Sequence, residues 1–406
     1  MEGFFDIEDT HAETQKTVSA CGSCGLYKYC KSPKMKTGGE GRKKILIIAE
    51  APGETEDEKG TQLIGKAGRL LEQHLRNLDI NLHDDCWKIN AVSCRPRKNK
   101  TPDAKQIEAC RPRVLKAVTE LKPKLIILLG SCAIKSFYGH RWKKDLGGIT
   151  KWRGWQIPDR EIKAWVCPTF HPSYVQRCDV KHRNKTYNPA EVIFGHDLEK
   201  AIGMLEEPFP IFKEEKVEIL YNKLEIIQRL KQLIRLEPTF LTVDFETTGL
   251  KPHRKEQEIV TCAFTWKRNH AIAFVVTDSL IPCMRTILKN KSKKIIGNLK
   301  FEQLWSRVKL KQKIKRIYHD VVECAHVLRN TDGITSVKFQ VCVRLGVIDY
   351  NQFIAPKLRA DKKGGNELNR IKEININSLL KYNGLDTIYE HEIAIQQMKE
   401  LENATA

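Results

Sequence analysis

Two uninterrupted apolar runs restrict the folds open to this chain more than any other feature. They are ILIIA at 45–49 and LIILLG at 125–130. A strand covered on one face alternates apolar with polar residues, whereas a strand buried on both faces reads as a continuous apolar run of this length. Amphipathic stretches stand between and beside them, GRLLEQHLRNL at 68–78 and QIEACRPRVLKAVTEL at 106–121. Short buried strands alternating with helices of that period imply a parallel α/β sheet.

A chain of 406 residues is long enough for two or three domains. The clearest break is EEPFPIFKEEKV at 206–217, where two prolines and many charges interrupt all periodicity. Beyond it a new helical pattern begins, LYNKLEIIQRLKQLI. The segments FLTVDFETTGL and EIVTCAFTWKRNHAIAFVV then read as successive strands, and helical patterns run to the C-terminus. The expected organisation is a tail over 1–13, a first α/β domain over 14–205, a linker over 206–216, a second α/β domain over 217–402 and a short tail over 403–406.

Charge and cysteine usage narrow the function. A formal net charge of +20 points to a polyanionic partner, DNA or RNA first. The N-terminus, MEGFFDIEDTHAETQ, is acidic and lacks the apolar core of a secretory signal. No apolar run approaches the ~20 residues of a membrane span. The expectation is a soluble cytoplasmic protein without a membrane partner. Thirteen cysteines in such a compartment suggest metal or cluster ligation before disulfides.

The cysteines fall into a usable pattern. Cys21-Gly-Ser-Cys24 makes a tight pair, and Cys94 and Cys110 follow within NAVSCRPRKNKTP and IEACRPRV. Four thiolates so arranged can close a site for zinc or for an iron–sulfur cluster. Cys30 is a competing ligand, while Cys86, Cys132 and Cys167 read as buried and unligated. Directly after the first apolar run comes a loop crowded with carboxylates, Glu50, Glu54, Glu56, Asp57 and Glu58, an odd concentration in so basic a chain.

Taken with these cysteines, AEAPGETED (49–57), GKAGRLL (65–71) and FHPSYVQR (170–177) make residues ~14–205 resemble the iron–sulfur, family-4 uracil-DNA glycosylases. The resemblance implies a parallel-sheet glycosylase fold and a structural 4Fe–4S cluster held by Cys21, Cys24, Cys94 and Cys110. It also places Glu50 on the water side of the reaction, Asn90 at the uracil edge, His171 at the leaving group and Glu56 beside C5, where it would exclude a thymine methyl. The acidic loop would then serve a base pocket, with lysines and arginines elsewhere holding phosphates. One position departs from the family. Leu63, in GTQLIGKAG, stands where the pattern has an aromatic residue stacked on uracil, and Phe170 and Tyr174 are the rings that could compensate. A base–aromatic stack is worth about 1–3 kcal/mol.

In the second domain, LTVDFETTGL puts Asp244 and Glu246 two apart on a predicted strand, hence on one face. KYNGLDTIYEHEI puts Tyr382 and Asp386 four apart on a helical face. Carboxylates brought together from distant segments are what two divalent ions need for phosphodiester hydrolysis. With GNLKFEQLW (297–305) between them and GITSVKFQVCVRLGV (333–347) following, the stretch ~217–402 resembles the DEDD exonuclease superfamily, in the polymerase-I-type, tyrosine-containing branch of phage-like relatives. That implies a ribonuclease-H-like fold with a mixed sheet. It further implies that Asp244, Glu246, Glu302 and Asp386 hold two Mg²⁺ or Mn²⁺ ions while Tyr382 orients the attacking water. Glu302 is a departure, since the superfamily has aspartate there. The extra methylene moves the carboxylate by about a bond length, and a misplacement of about 1 Å can slow a reaction about a hundredfold. Asp320, in YHDVVECAHVL, is a neighbouring carboxylate that could share the work.

The combined expectation is a DNA-processing enzyme of repair or replication that excises uracil and trims 3′ ends. Its setting would be a prokaryotic or virus-infected cell, and its substrates uracil-containing DNA and DNA 3′ ends. The alternative is a replication accessory protein whose first domain only senses uracil and whose second proofreads for a separate DNA polymerase.

Overall fold

The computed structural model describes residues 20–142, 145–181, 188–358 and 367–405. The expected N-terminal tail over 1–13 lies outside them. The chain divides into two compact units, Met1–His140 with Val166–Glu206, and Arg141–Trp165 with Glu207–Ala406.

A five-stranded sheet has the order β2-β1-β3-β5-β4, built from β1 (Ile45–Ala49), β2 (Cys86–Asn90), β3 (Leu125–Leu129), β4 (Ile157–Asp159) and β5 (Ala164–Thr169). The two apolar runs are its central strands. β1 pairs in parallel with both β2 and β3, and every residue of β1 and β3 is buried. The amphipathic stretches form the helices Lys66–Arg76 and Ala104–Leu121. The second of these starts at a capping box, with Asp103 Oδ1 accepting from the Gln106 N–H at 2.9 Å and Gln106 Oε1 accepting from the Asp103 N–H at 3.1 Å.

A six-stranded mixed sheet has the order β11-β10-β7-β8-β9-β6. Its strands are β6 (Lys216–Leu220), β7 (Phe240–Thr247), β8 (Ile259–Lys267), β9 (His270–Val275), β10 (Lys293–Ile296) and β11 (Ile317–Asp320). The β7–β8 and β8–β9 pairs are antiparallel, and the others are parallel. One face carries a core of Leu241, Val243, Phe245, Phe264, Phe274 and Trp305. The opposite face meets the long helix Ile376–Thr405, which lies across β6 to β10. Alternation along β7 therefore turns Asp244 and Glu246 toward that helix.

Both α/β sheets agree with the sequence reading, and three details differ from it. β10 and β11 interrupt the stretch expected to be helical, because four-residue strands are too short to print a periodicity. β6 begins at Lys216, inside the expected linker, where pairing with β9 draws it into the sheet. The last helix continues to Thr405, through residues expected to be a tail.

Phe264 is fully buried between β7 and β9. Phe264→Ala should lower stability by about 3–5 kcal/mol in guanidinium denaturation, the usual effect of emptying such a site.

Candidate active sites

The first site forms where the strands of the parallel sheet end. Glu50 follows β1 directly, and Asn90 is the last residue of β2, in register with Ala49. His171 follows β5 by two residues. Gly130, at the end of β3, has φ +81°, and a Cβ there would lie 3.1 Å from the His171 Cβ, so this glycine lets the histidine loop close over the strand end. The carboxyl edge of a parallel sheet is where α/β proteins place ligands.

Three side chains there have unusual states. Asn90 is buried, and its Nδ2 has no hydrogen-bond partner in the protein. His171 Nδ1 accepts the Ser173 N–H at 3.2 Å, so the ring proton sits on Nε2. Burial, and then the nearby Arg177 guanidinium, hold the imidazole down at about pKa 4, leaving it neutral at physiological pH. The Glu50 carboxyl is pushed up by burial, against a hydrogen bond donated by the Cys132 thiol and the field of Arg177. Arg177 thus acts on both Glu50 and His171. Its place in FHPSYVQR gave no sign of this, because the charge reaches the site only once its helix is folded.

The acidic loop divides by task. Asp57 is buried and accepts the Lys31 and Ser32 N–H groups at 3.1 and 2.8 Å, tying the cysteine-bearing segment to the loop. Glu56 Oε1 accepts the Gly65 N–H at 2.8 Å, and a Cβ at Gly53 or Gly65 would collide with its carboxylate. Glu54 pairs with Arg95 at 3.0 Å. Leu63 is buried at φ +57°, and Phe170 and Tyr174 stack at a tilt with ring centroids 4.9 Å apart.

Cys21, Cys24, Cys94 and Cys110 converge. Cys24, Cys94 and Cys110 pack in one buried cluster, and Cys110 feels the charges of Cys24, Cys94 and Cys21. Burial raises the thiols of Cys24 and Cys110, the latter to about 11. Thiols gathered from separate segments around one buried spot suit a cationic iron or zinc centre, which would stabilise their thiolates. Cys94 Sγ already accepts the Lys34 N–H at 3.2 Å. Cys30 lies beside Cys94 and bonds to it, so it belongs to the same cluster as a fifth thiol. Cys86, Cys132 and Cys167 are buried as expected.

A Type-4 uracil-DNA glycosylase from Pyrobaculum aerophilum is 35% identical over 177 residues, 42% of this chain and 85% of that protein. The chain belongs to the uracil-DNA glycosylase superfamily. The superfamily's model matches residues 35–191, and the Type-4 uracil-DNA glycosylase of Thermotoga maritima is also 35% identical, over 42% of this chain and 82% of its own length. The strand-end site, Cys94 and Cys110 fall within the matched residues, and Cys21, Cys24 and Cys30 precede them.

The second site lies outside the portion matched by that model. Asp244, Glu246 and Asp386 each offer a carboxylate oxygen, and all three oxygens lie within 4.8 Å of one another. Among the described residues they form a group able to hold a metal ion. Asn383 Nδ2 donates to Asp244 Oδ2 at 2.6 Å, and Thr261 Oγ1 donates to Asn383 Oδ1 at 2.9 Å, which fixes the Asp244 rotamer. Burial, with Asp386 nearby, pushes Asp244 up to about 7 and raises Glu246 as well. Such carboxyls invite a cation.

Glu302 is not within that group of three, but it is buried and bonds to Asp244. It sits in the first turn of the helix Leu299–Lys309, which Asn298 caps. Asp320 also lies outside that group, and its two oxygens accept backbone N–H groups, Leu299 at 2.6 Å and Val322 and Glu323 at 2.8 and 2.9 Å. Tyr382 is buried with its hydroxyl on Asp386. Lys338 and Tyr350 were not singled out from the sequence, yet both bond Asp386 Oδ1, and the Lys338 ammonium lies over the Tyr350 and Tyr382 rings at 4.3 and 4.5 Å. Nothing in GITSVKFQVCVRLGV marks Lys338 apart from the other lysines.

A DNA polymerase of Bacillus phage SP01 is 25% identical over 230 residues, 54% of this chain and 23% of that protein. Among solved structures, Brucella melitensis NrnC superposes with a TM-score of 0.33 at 16% identity, covering 48% of this chain and 84% of its own. Escherichia coli RNase D superposes with a TM-score of 0.37 at 11%, covering 47% and 46%.

His171 should leave a mark on stability. Its folded-state pKa lies below the ordinary 6.5, so its contribution is fully present above pH 6.5 and is lost as pH falls from 6.5 toward 4, where the unfolded chain binds a proton that the native state refuses. Thermal melts between pH 7.5 and 4 should show this decline, and His171→Gln should flatten that component.

Proposed function

We propose that the chain is a two-activity DNA-processing enzyme, excising uracil through its glycosylase portion and removing nucleotides from a 3′ end at the carboxylate site. The observation that carries this reading is the union, in one chain, of a portion similar to Type-4 glycosylases with a partly buried group of three carboxylates whose oxygens lie within 4.8 Å of one another.

In the first activity the target base is flipped out of the stack into the strand-end pocket. Asn90 spends its unpaired amide on the base edge. Glu56 stands beside C5 and bars a methyl group, and Leu63 covers one face of the base. As the glycosidic bond stretches, negative charge gathers on the departing uracil, and neutral His171 donates its Nε2–H to the pyrimidine O2. Neutrality matters here, because a donor already poised needs no proton from solvent. Glu50 faces the sugar, where its carboxylate stabilises positive charge and orients water. Cys21, Cys24, Cys94 and Cys110 would hold a 4Fe–4S cluster whose contribution is to brace the DNA-contacting loops.

For the second activity, Asp244, Glu246, Glu302 and Asp386 would hold two Mg²⁺ or Mn²⁺ ions. When bound, these supply Lewis acidity and an activated water. Asn383 keeps Asp244 in place, and the Tyr382 hydroxyl orients the nucleophile. The basic surface, +20 overall, binds the phosphates. The natural setting is the cytoplasm of a prokaryote or a phage-infected cell, with a separate polymerase as the partner that makes and extends the 3′ ends.

The decisive assay uses a 5′-labelled oligonucleotide with one internal uracil. In EDTA, alkali-dependent cleavage at the uracil is expected; in Mg²⁺, a ladder from the 3′ end that Asp244→Asn abolishes. Uracil-specific binding without an abasic site would favour the sensing role, for which Leu63 is the specific argument. Leu63→Phe should accelerate excision about tenfold or more, the value of one stacking contact, and single-turnover rates measure it.

A further inference from the structure

The long final helix presents three functional side chains on one face, not two. Tyr382 and Asp386 are followed four residues later by Glu390, in DTIYE. Glu390 is 4% exposed, and its Oε2 makes no hydrogen bond within the protein. A buried, unpartnered carboxylate is strongly unfavourable, and nothing in packing calls for one on a helix that could carry leucine there.

Its surroundings say what it faces. The charges acting on Glu390 are those of Asp244, Asp386, Lys338 and Asp320, and Glu390 in turn acts on Glu302 together with Asp244 and Glu246. Glu302 is 2% exposed, and its Oε2 is likewise without a partner. Two buried carboxylate oxygens with no protein donor therefore stand within the field of Asp244, and Glu390 acts on Glu302. The backbone has been cleared for the newcomer. A Cβ at Gly297, two residues before the helix that carries Glu302, would lie 1.8 Å from Glu390 Oε1. Charge points the same way: the carboxyls of Asp244, Asp386 and Asp320 act on Glu390 against the ammonium of Lys338.

We propose that Glu390 is a fifth carboxylate of the metal centre and acts with Glu302 to hold the second of its two divalent ions. This rests on the nuclease reading above. Asp244, Glu246 and Asp386, whose oxygens lie within 4.8 Å of one another, form one ion's site, and Glu302, which bonds Asp244, serves the other's with Glu390. The pairing also accounts for a glutamate at 302. Its ion is positioned by two long side chains from facing elements, so the extra methylene is matched across the pocket.

The test is calorimetric titration of the full-length protein with Mn²⁺ alone, in parallel with a 3′-ladder assay. Wild type should bind two ions at the centre. Glu390→Gln, which keeps shape and removes charge, should weaken the second ion at least tenfold and leave the first within twofold. Glu302→Gln should weaken the same ion, and the double variant should be little worse than either single one. Glu390→Asp should fall between wild type and Glu390→Gln, and it replaces Glu390→Gln if a melting curve shows the latter unfolded. Wild-type binding of both ions by Glu390→Gln overturns the proposal and makes Glu390 a protonated structural group. Asp244→Asn separates the two levels: loss of both ions upholds the metal centre whatever Glu390 does, whereas retention of both ions and of the ladder overturns the nuclease reading itself.

Discussion

Packing like charges together out of water is the demand around which the second unit is organised. A carboxylate next to another carboxylate, each stripped of solvent, is held only if the scaffold fixes it and a cation can enter. β7 supplies Asp244 and Glu246 on one face because strand residues alternate. The final helix supplies Asp386 and Glu390 because helix residues four apart align, and the capped helix Leu299–Lys309 supplies Glu302 from its first turn. The mixed topology serves this end, since the antiparallel strands β8 and β9 widen the floor on which the helix rests. Asn383 and Lys338 then do what solvent does elsewhere, giving Asp244 and Asp386 a donor and a positive charge.

The glycosylase portion solves the opposite problem. There the central strands pair in parallel, β1 and β3 are apolar throughout, and the candidate groups stand at the edge where the strands end. Burial keeps His171 neutral and raises Glu50, so one environment leaves an uncharged imidazole and a desolvated carboxyl at neighbouring strand ends. The crowd of acids after β1 is not a single electrostatic device. Asp57 and Glu56 spend their oxygens on backbone N–H groups and hold the loop in shape, Glu54 pairs with Arg95, and Glu50 is the one turned to the strand-end site.

Two substitutions relative to the patterns that the chain resembles have different structural contexts. At position 63 an aliphatic side chain sits at positive φ, with the backbone of Gly68 pressed so close that a Cβ there would lie 1.9 Å from the Leu63 carbonyl oxygen. The stacked rings Phe170 and Tyr174 belong to the histidine loop. At position 302 the longer acid is buried and bonds to Asp244.

Much of this was written in the sequence, for a simple reason. Continuous apolar runs, alternation and four-residue spacing are local patterns, and each states which face a side chain takes without reference to anything distant. They gave the parallel sheet, the strand carrying Asp244 and Glu246, and the helix carrying Tyr382 and Asp386. The cysteine set and the strand-end residues were named through the resemblance that their motifs carry, not through spacing alone. What only the tertiary structure decided were relations between segments with no spacing to advertise them. Lys338 and Tyr350 meet Asp386, Arg177 reaches both Glu50 and His171, Asp320 accepts backbone N–H groups, and Gly297 leaves room for Glu390. None of these could be read along the chain, because a charge or a missing Cβ acquires its meaning from what folds against it.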